Sequence, residues 1–297
     1  VRILHVDTGR AMRGGQHQAL YLIRGLAERG HACTLLAPGG SALARAASDQ
    51  GIDVRPLTLP ALWRLSRSCD AVHAHSGRAH TLAAVAGAER LVVSRRVAFP
   101  VKRGPLSRWK YSRAAHFLAV SDYVKRTLLA AGVAPERVSV VYDGVPLLEP
   151  SRLARRVIAP ATSDPRKGSS LARRAAARAG VDLYFSGDLM RDLDEARLFV
   201  YVTHEEGLGS AALLAMAAAV PVVASRVGGL PEAVEHGVTG LLVENSVEAI
   251  ASAIRSLLED RETAAAYGRR GRQRVEERFT IARMVEETER VYRRLVE

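Results

Sequence analysis

Cysteines, aromatic residues and long apolar runs are all scarce in this 297-residue chain, and each scarcity excludes a class of protein. Two cysteines, Cys33 and Cys69, cannot form a disulfide framework or a zinc site, which fits a reducing cytoplasm. The longest uncharged apolar run, around Leu213–Ser225, is too short and too alanine-rich to span a bilayer. Glycine (24) and proline (12) are modest while 48% of residues are hydrophobic, so collagen-like, coiled-coil and disordered chains are excluded. Residues Val1–Val6 read as a strand and carry no signal-peptide pattern. No Walker A sequence is present, which removes P-loop hydrolysis. A basic globular protein of about two domains is expected, with a net charge of +12. Such charge suits nucleic acid, a membrane surface or an anionic small molecule.

Acidic residues are short mainly in the first half. Residues 1–150 hold 21 Lys and Arg against 10 Asp and Glu, whereas residues 151–297 hold 22 against 21. The densest stretch, Arg95–Arg113, has seven basic residues, no acidic ones, and Phe99, Trp109 and Tyr111 interleaved. It reads as a solvated loop and helix face, as a membrane interface, or as a holder of phosphate on an acceptor. Nucleic acid is possible too, but no helix-turn-helix, zinc-finger or RNA-recognition signature directs such contacts, and no nucleic-acid partner is expected.

Both halves alternate short apolar strands with helical patterns. The first half predicts strands at Val1–Val6, His31–Ala37, Val54, Ala71–His73, Arg90–Ser94, Phe117–Val120 and Val138–Tyr142. Helices are predicted at Gly14–Arg29, Ala42–Gln50, Arg108–Arg113 and Asp122–Ala131, with Ser121 as an N-cap. The second half predicts strands at Val157–Ala161, Asp182–Phe185, Leu198–Thr203, Pro221–Ser225 and Thr239–Val243. Its helices fall at Ser170–Ala179, Ser210–Ala219 and Ala249–Glu259, and two long charged helices fill Glu262–Glu297. This alternation implies two doubly wound α/β domains with parallel sheets, dividing within Gly144–Arg152. Such folds bind ligands at the carboxyl ends of their strands, here in a cleft between the domains.

Glycine turns sit at those ends. Gly14-Gly15 opens the first helix, where backbone N–H groups can approach an anion at the positive end of the dipole. The turn is not GxGxxG, and the second strand ends without an acidic residue, which disfavours a nicotinamide or flavin enzyme. In the second half, Glu206 follows a strand and Gly207–Gly209 opens the next helix. A second pair, Gly228-Gly229, precedes Pro231-Glu232. Two glycine turns with two carboxylates supply anion donors and hydroxyl acceptors, the combination a phosphorylated sugar needs.

These residues lie in longer motifs: GGQHQALYLIRGLAERGH (14–31), DAVHAHS (70–76), AVSDYVKRTLLAAGV (119–133), VSVVYDGV (138–145) and EGLGSAALLAMAAAVPVVASRVGGLPEAVEHGVTGLLV (206–243). Together they resemble the retaining family 4 glycosyltransferases of the GT-B fold, over nearly the whole chain. The resemblance implies two Rossmann-like domains facing across a cleft. Residues 1–148 would form the acceptor side and 149–279 a shortened nucleotide-sugar domain, with a final helix at 280–297 packing back on the first. It also implies metal-independent transfer from a nucleotide-sugar, a co-substrate rather than a cofactor, in which the leaving phosphate helps deprotonate the acceptor.

Carried over residue by residue, the resemblance assigns Glu206 to the donor sugar and Lys167 to the diphosphate. Gly14, Gly15, Gly207, Leu208 and Gly209 join the donor site. Two positions depart from the family. The second carboxylate of its Glu-x7-Glu pair, which receives the ribose hydroxyls, is Leu214, and the arginine five residues before Lys167 is Thr162. Arg166 or Arg13 are the nearest substitutes. Where family members place a cleft histidine, this chain has Arg95 and Arg96, either of which would point a fixed cation at an anionic acceptor or the leaving diphosphate. Arg95, with Glu206, is assigned to catalysis; His75, Arg96, Lys102 and Arg103 are assigned to the acceptor side. His73, His75 and His80 invite a metal reading, but no carboxylate or cysteine accompanies them and none is expected.

The reading is a glycosyltransferase acting on an anionic or lipid-linked acceptor of the envelope-glycan or lipopolysaccharide type. It would be cytoplasmic, in peripheral contact with the inner leaflet through Arg95–Arg113. The rival is a non-catalytic sugar-nucleotide-binding or scaffold protein on the same fold.

Overall fold

The computed structural model describes residues 1–102, 104–152 and 156–297. It divides into two compact units, residues 1–144 with 281–297 and residues 145–280. The first break thus falls at Gly144–Val145 rather than at 148.

The first unit begins with β1 (Arg2–Val6), α1 (Gly14–Glu28), β2 (Ala32–Ala37), α2 (Ala42–Ser48), β3 (Asp53–Pro56) and α3 (Leu59–Ser66). It continues with β4 (Ala71–Ala74), α4 (Gly77–Val85), β5 (Leu91–Arg95), α5 (Pro105–Ser112), β6 (His116–Ala119), α6 (Asp122–Leu129) and β7 (Val138–Val140). The strands are parallel in the order β3-β2-β1-β4-β5-β6-β7. Every residue of β4, β5 and β6 is buried, as expected for strands covered on both faces. Hydroxyl caps start the helices between them: Ser41, Thr58, Ser76 and Ser121 each accept a backbone N–H three residues on. Helices α3 and α4 are additions to the sequence expectation. In α4 the small residues Ala79, Ala83 and Ala84 bury against the sheet, leaving little apolar periodicity to read.

The second unit holds β8 (Arg156–Pro160), α7 (Ser169–Ala179), β9 (Leu183–Ser186), α8 (Leu189–Asp192), β10 (Ala196–Tyr201), α9 (Ser210–Ala217) and β11 (Val222–Ser225). It closes with α10 (Leu230–Ala233), β12 (Leu241–Val243), α11 (Val247–Glu259) and α12 (Arg261–Arg278). Its five parallel strands run β12-β11-β10-β8-β9. Helices α7 and α11 pack Ala172, Ala175, Ile250 and Ile254 against Val157, Leu198 and Val200.

The last helix, α13 (Ile281–Val296), returns to the first unit. Met284, Val285, Val291 and Tyr292 enter a core with Ile3, Leu22, Leu26 and Val92. Beside it Glu289 receives Arg29 (2.8 Å), His31 (3.1 Å) and Arg293 (2.6 Å), and these partners hold its carboxyl near 2. Cys33 is half-buried beside this core, and Cys69 is half-buried too.

At the carboxyl ends of β1 and β4 lies a buried polar layer. His5 and His73 are register partners on these strands. His5 Nδ1 is 3.0 Å from His75 Nε2, and His73 bridges Tyr292 OH (2.5 Å) and Ser94 Oγ (2.8 Å). Burial holds all three imidazoles neutral: His5 falls to about 3, and His73 and His75 fall well below 6.5 with added repulsion from each other and Arg96. The unfolded chain therefore binds more protons below pH 6.5. The stabilisation is whole above that pH and is lost as pH falls toward 3, by up to about 1.4 kcal/mol per pH unit per histidine. Urea unfolding should accordingly show a lower midpoint at pH 5.5 than at pH 7.5; equal midpoints would contradict the buried neutral layer. Tyr292→Phe, which strands His73 Nδ1, should cost about 1–3 kcal/mol in the same measurement at pH 7.5.

Candidate functional site

In the second unit, β10 ends at Tyr201 and the chain turns through 202–209 into α9. Lys167, Glu206 and Gly207 come together here. Lys167 Nζ donates to Glu206 Oε2 at 2.5 Å, and the Gly207 N–H donates to Oε1 at 3.0 Å. A third partner was not read from the sequence: the Tyr201 hydroxyl donates to Oε2 at 2.5 Å. Burial and the Glu206 charge push the Tyr201 phenol well above 10, so it stays a donor. A tyrosine inside an apolar strand reads as core, and only the end of β10 puts its hydroxyl at the site.

Backbone contacts hold Glu206 as firmly. Gly228, at φ +56°, passes so close that a Cβ would lie 2.0 Å from the Glu206 carbonyl oxygen, and the Gly229 N–H donates to that oxygen at 3.0 Å. The second glycine pair is thus a clamp on Glu206. Gly209, at φ +105°, caps α9, and its missing Cβ leaves room for Leu230. The turn is braced by Thr203, whose N–H meets Ser225 Oγ (3.0 Å), while Asn245 joins Ser225 Oγ (2.6 Å) to the Thr203 carbonyl (3.0 Å).

The remaining donor-side residues divide. Leu208 is buried, so only its backbone is available to a ligand. Leu214 lies with Ser210 and Ala211 on the half-exposed face of α9. Thr162 accepts the Asp164 N–H, and Arg166 is paired with Asp164 at 2.7 Å.

In the first unit, Gly14 and Gly15 open α1 behind Arg13, and a Cβ on either would meet nothing within 4 Å. The preceding turn is organised by Asp7, buried at the end of β1, which accepts the Gly9 N–H (2.6 Å) and Gln16 Nε2 (3.2 Å). Burial raises its carboxyl above the usual range. The adjacent arginines part company. Arg96 turns into the polar layer and pairs with Asp143 at 2.8 Å. Arg95 turns toward α5, donating to Tyr111 OH (2.9 Å) and the Phe99 carbonyl (2.5 Å). His75 is buried against His5, and Lys102 is exposed. Arg103 lies outside the described residues. A cavity of about 810 Å³ is lined by Arg13, Gly15, His75, Arg95, Arg96 and Lys102 among others. It gathers most of the residues assigned to the acceptor side.

The nitrogens of His5, His73 and His75 lie within 4.8 Å of one another, a spacing a metal could use. Both His73 nitrogens are in hydrogen bonds, Arg96 presents a positive charge to the group, and no carboxylate belongs to it. That donor set suits a neutral hydrogen-bond relay better than a metal cage. His80 stands apart, bonded to the Lys110 carbonyl at 3.0 Å.

Two family patterns cover most of the chain: Glycosyltransferase Family 4 matches residues 12–148, and Glycosyl transferases group 1 matches residues 162–274. The alpha-maltose-1-phosphate synthase of Mycolicibacterium smegmatis is 40% identical over 138 residues, 43% of this chain and 36% of that protein. The GDP-mannose-dependent alpha-(1-6)-phosphatidylinositol monomannoside mannosyltransferase of Mycobacterium tuberculosis is 51% identical over 69 residues, 23% of this chain and 18% of its own. The chain therefore spans about a third or less of the length of these curated relatives. Over its full length it superposes on Anabaena Alr3699/HepE, solved with UDP and glucose, at a TM-score of 0.85 and 17% identity, covering 99% of each chain. The lipopolysaccharide outer core galactosyltransferase WaaB superposes at 0.72 with 12% identity, covering 99% of this chain and 100% of that one. With both sheets parallel, Glu206 and Lys167 joined at a strand end, and both halves matched in order, the chain belongs to the family 4 glycosyltransferases of the GT-B fold.

Proposed function

We propose that this protein transfers a sugar, with retention and without a metal, from a nucleotide-sugar held by the second unit to an anionic or lipid-linked acceptor held by the first. The observation that carries this reading is the four-point anchoring of Glu206, by Lys167, Tyr201, Gly207 and Gly229, at the start of α9. Relatives that depend on GDP-mannose or were solved with UDP support a nucleotide-sugar donor.

The geometry suggests what each group does. The Lys167 charge is balanced by Glu206. A diphosphate, with more charge than one carboxylate, draws Lys167 toward itself. Tyr201 and the Gly207 N–H then keep Glu206 in place to accept a sugar hydroxyl. The bond from the anomeric carbon to the phosphate oxygen breaks, the acceptor oxygen takes its place, and the acceptor proton leaves on the nucleoside diphosphate. The ribose, facing Leu214 instead of a carboxylate, meets the Ser210 hydroxyl one turn earlier on the same face. The basic first unit holds the acceptor, with the Arg95–Arg113 stretch against anionic headgroups if that acceptor is membrane-borne. Among the described residues no helix is long and apolar enough to cross a membrane.

Nucleoside diphosphate release across a panel of UDP-, GDP- and ADP-sugars tests the proposal. Turnover should occur with at least one donor and fall by about 10²-fold or more in Glu206→Gln. Tyr201→Phe, losing one hydrogen bond to a charged group, should lower kcat roughly tenfold with less effect on KM. Tight binding without turnover on every donor, unchanged by Glu206→Ala, would instead make the chain a sugar-nucleotide-binding protein.

A further inference from the structure

The cavity of the first unit runs past the strand ends into a crevice between α4 and α5. At about 810 Å³ it has the size of a small-ligand site. Five cations line it, Arg13, Arg95, Arg96, Lys102 and Lys110, and among the described residues no carboxylate does. Its deeper walls are apolar, with Val93 and Phe117 behind and Val85, Leu106 and Trp109 at the mouth. Those last three are 58%, 81% and 44% exposed, an unusual amount of uncovered apolar surface for one opening.

Several of its polar groups are already used, although His75 Nδ1 is buried without a partner. His80 is bonded to the Lys110 carbonyl, Thr81 Oγ1 to the Gly77 carbonyl, and Tyr111 OH to Arg95. Arg95 also donates to Tyr111 OH and the Phe99 carbonyl, but it is 8% exposed, its Nε has no hydrogen-bond partner, and none of the ion pairs among the described residues includes it. A buried cation without a counter-charge calls for an anion from outside.

We infer that the crevice binds an amphiphile in which a phosphate is joined directly to an apolar chain, as in an isoprenoid or alkyl phosphate. The phosphate lies at Arg95 and Lys102, and the chain lies between α4 and α5 against Val85, Leu106 and Trp109. The assignment of this amphiphile as the sugar acceptor rests on the transferase reading above; the binding does not.

The chain has two tryptophans, so a Trp63→Phe background leaves Trp109 as the only indole at the crevice mouth. Titration with monomeric decyl phosphate should shift the Trp109 emission to the blue and saturate, at least tenfold tighter than decanol or inorganic phosphate. Leu106→Asp and Lys102→Glu, both at exposed positions, should each weaken binding at least tenfold, as should Arg95→Gln where it folds. Equal affinity for decanol, equal affinity for inorganic phosphate, or indifference to Leu106→Asp would overturn the assignment. So would an emission shift with phosphatidylglycerol vesicles but none with decyl phosphate, which would mark a membrane-docking surface. The titration contains no nucleotide-sugar. Decyl phosphate binding without any donor turnover would therefore leave the crevice standing and remove the transferase reading.

Discussion

A parallel strand covered on both faces has nowhere to display polar chemistry except its ends. In β4, β5, β6 and β11 every residue is buried, so the sheets themselves are closed to ligands. The polar groups of the first unit accordingly gather where strands finish, with Asp7 after β1, His75 after β4, Arg95 and Arg96 at β5, and Asp143 after β7. The second unit repeats this with Thr203 and Glu206 after β10, Ser225 at the end of β11 and Asn245 after β12. Site and fold are thus consequences of one arrangement, since the crossovers that bury the sheets also bring the strand ends to the same edge.

Electrostatics then separates the two units. In the second, Lys167 and Glu206 neutralise each other and Tyr201 fixes the carboxylate. In the first, Arg96 is neutralised by Asp143 while its neighbour Arg95 is buried without an acidic partner among the described ion pairs. The contrast matches the charge count, +11 for residues 1–150 and +1 for residues 151–297, obtained by subtracting acidic from basic residues in each half. A surplus that is partly buried, and lines an apolar cavity, points to a bound anion more directly than surface charge does.

Much of this was legible in the chain. Strand–helix alternation indicated two parallel sheets, and the 206–243 motif located Glu206, Gly207 and Gly209. Helices α3 and α4 were missed because short, small-residue helices carry little apolar periodicity. Tyr201 and His5 were missed because each lies within an apolar strand, where a polar atom has no sequence signature. For the Gly228-Gly229 pair the sequence shows the turn but not its neighbour, since a glycine needed for ligand approach and one needed for backbone approach look alike, and here the pair meets the Glu206 carbonyl.

Periodicity, caps and glycine spacing are local properties, so the sequence by itself determined the strand–helix alternation, the parallel sheets and the strand ends that carry chemistry. Which side chains meet there depends on atoms up to 219 residues apart, as with His73 and Tyr292. Tertiary structure alone decided that Tyr201 bonds to Glu206, that Arg95 and Arg96 turn to different surroundings, and that the basic stretch borders an apolar crevice. The physical reason is that a side chain's charge and hydrogen bonds are set by burial and by its neighbours, and neither can be read from position along the chain.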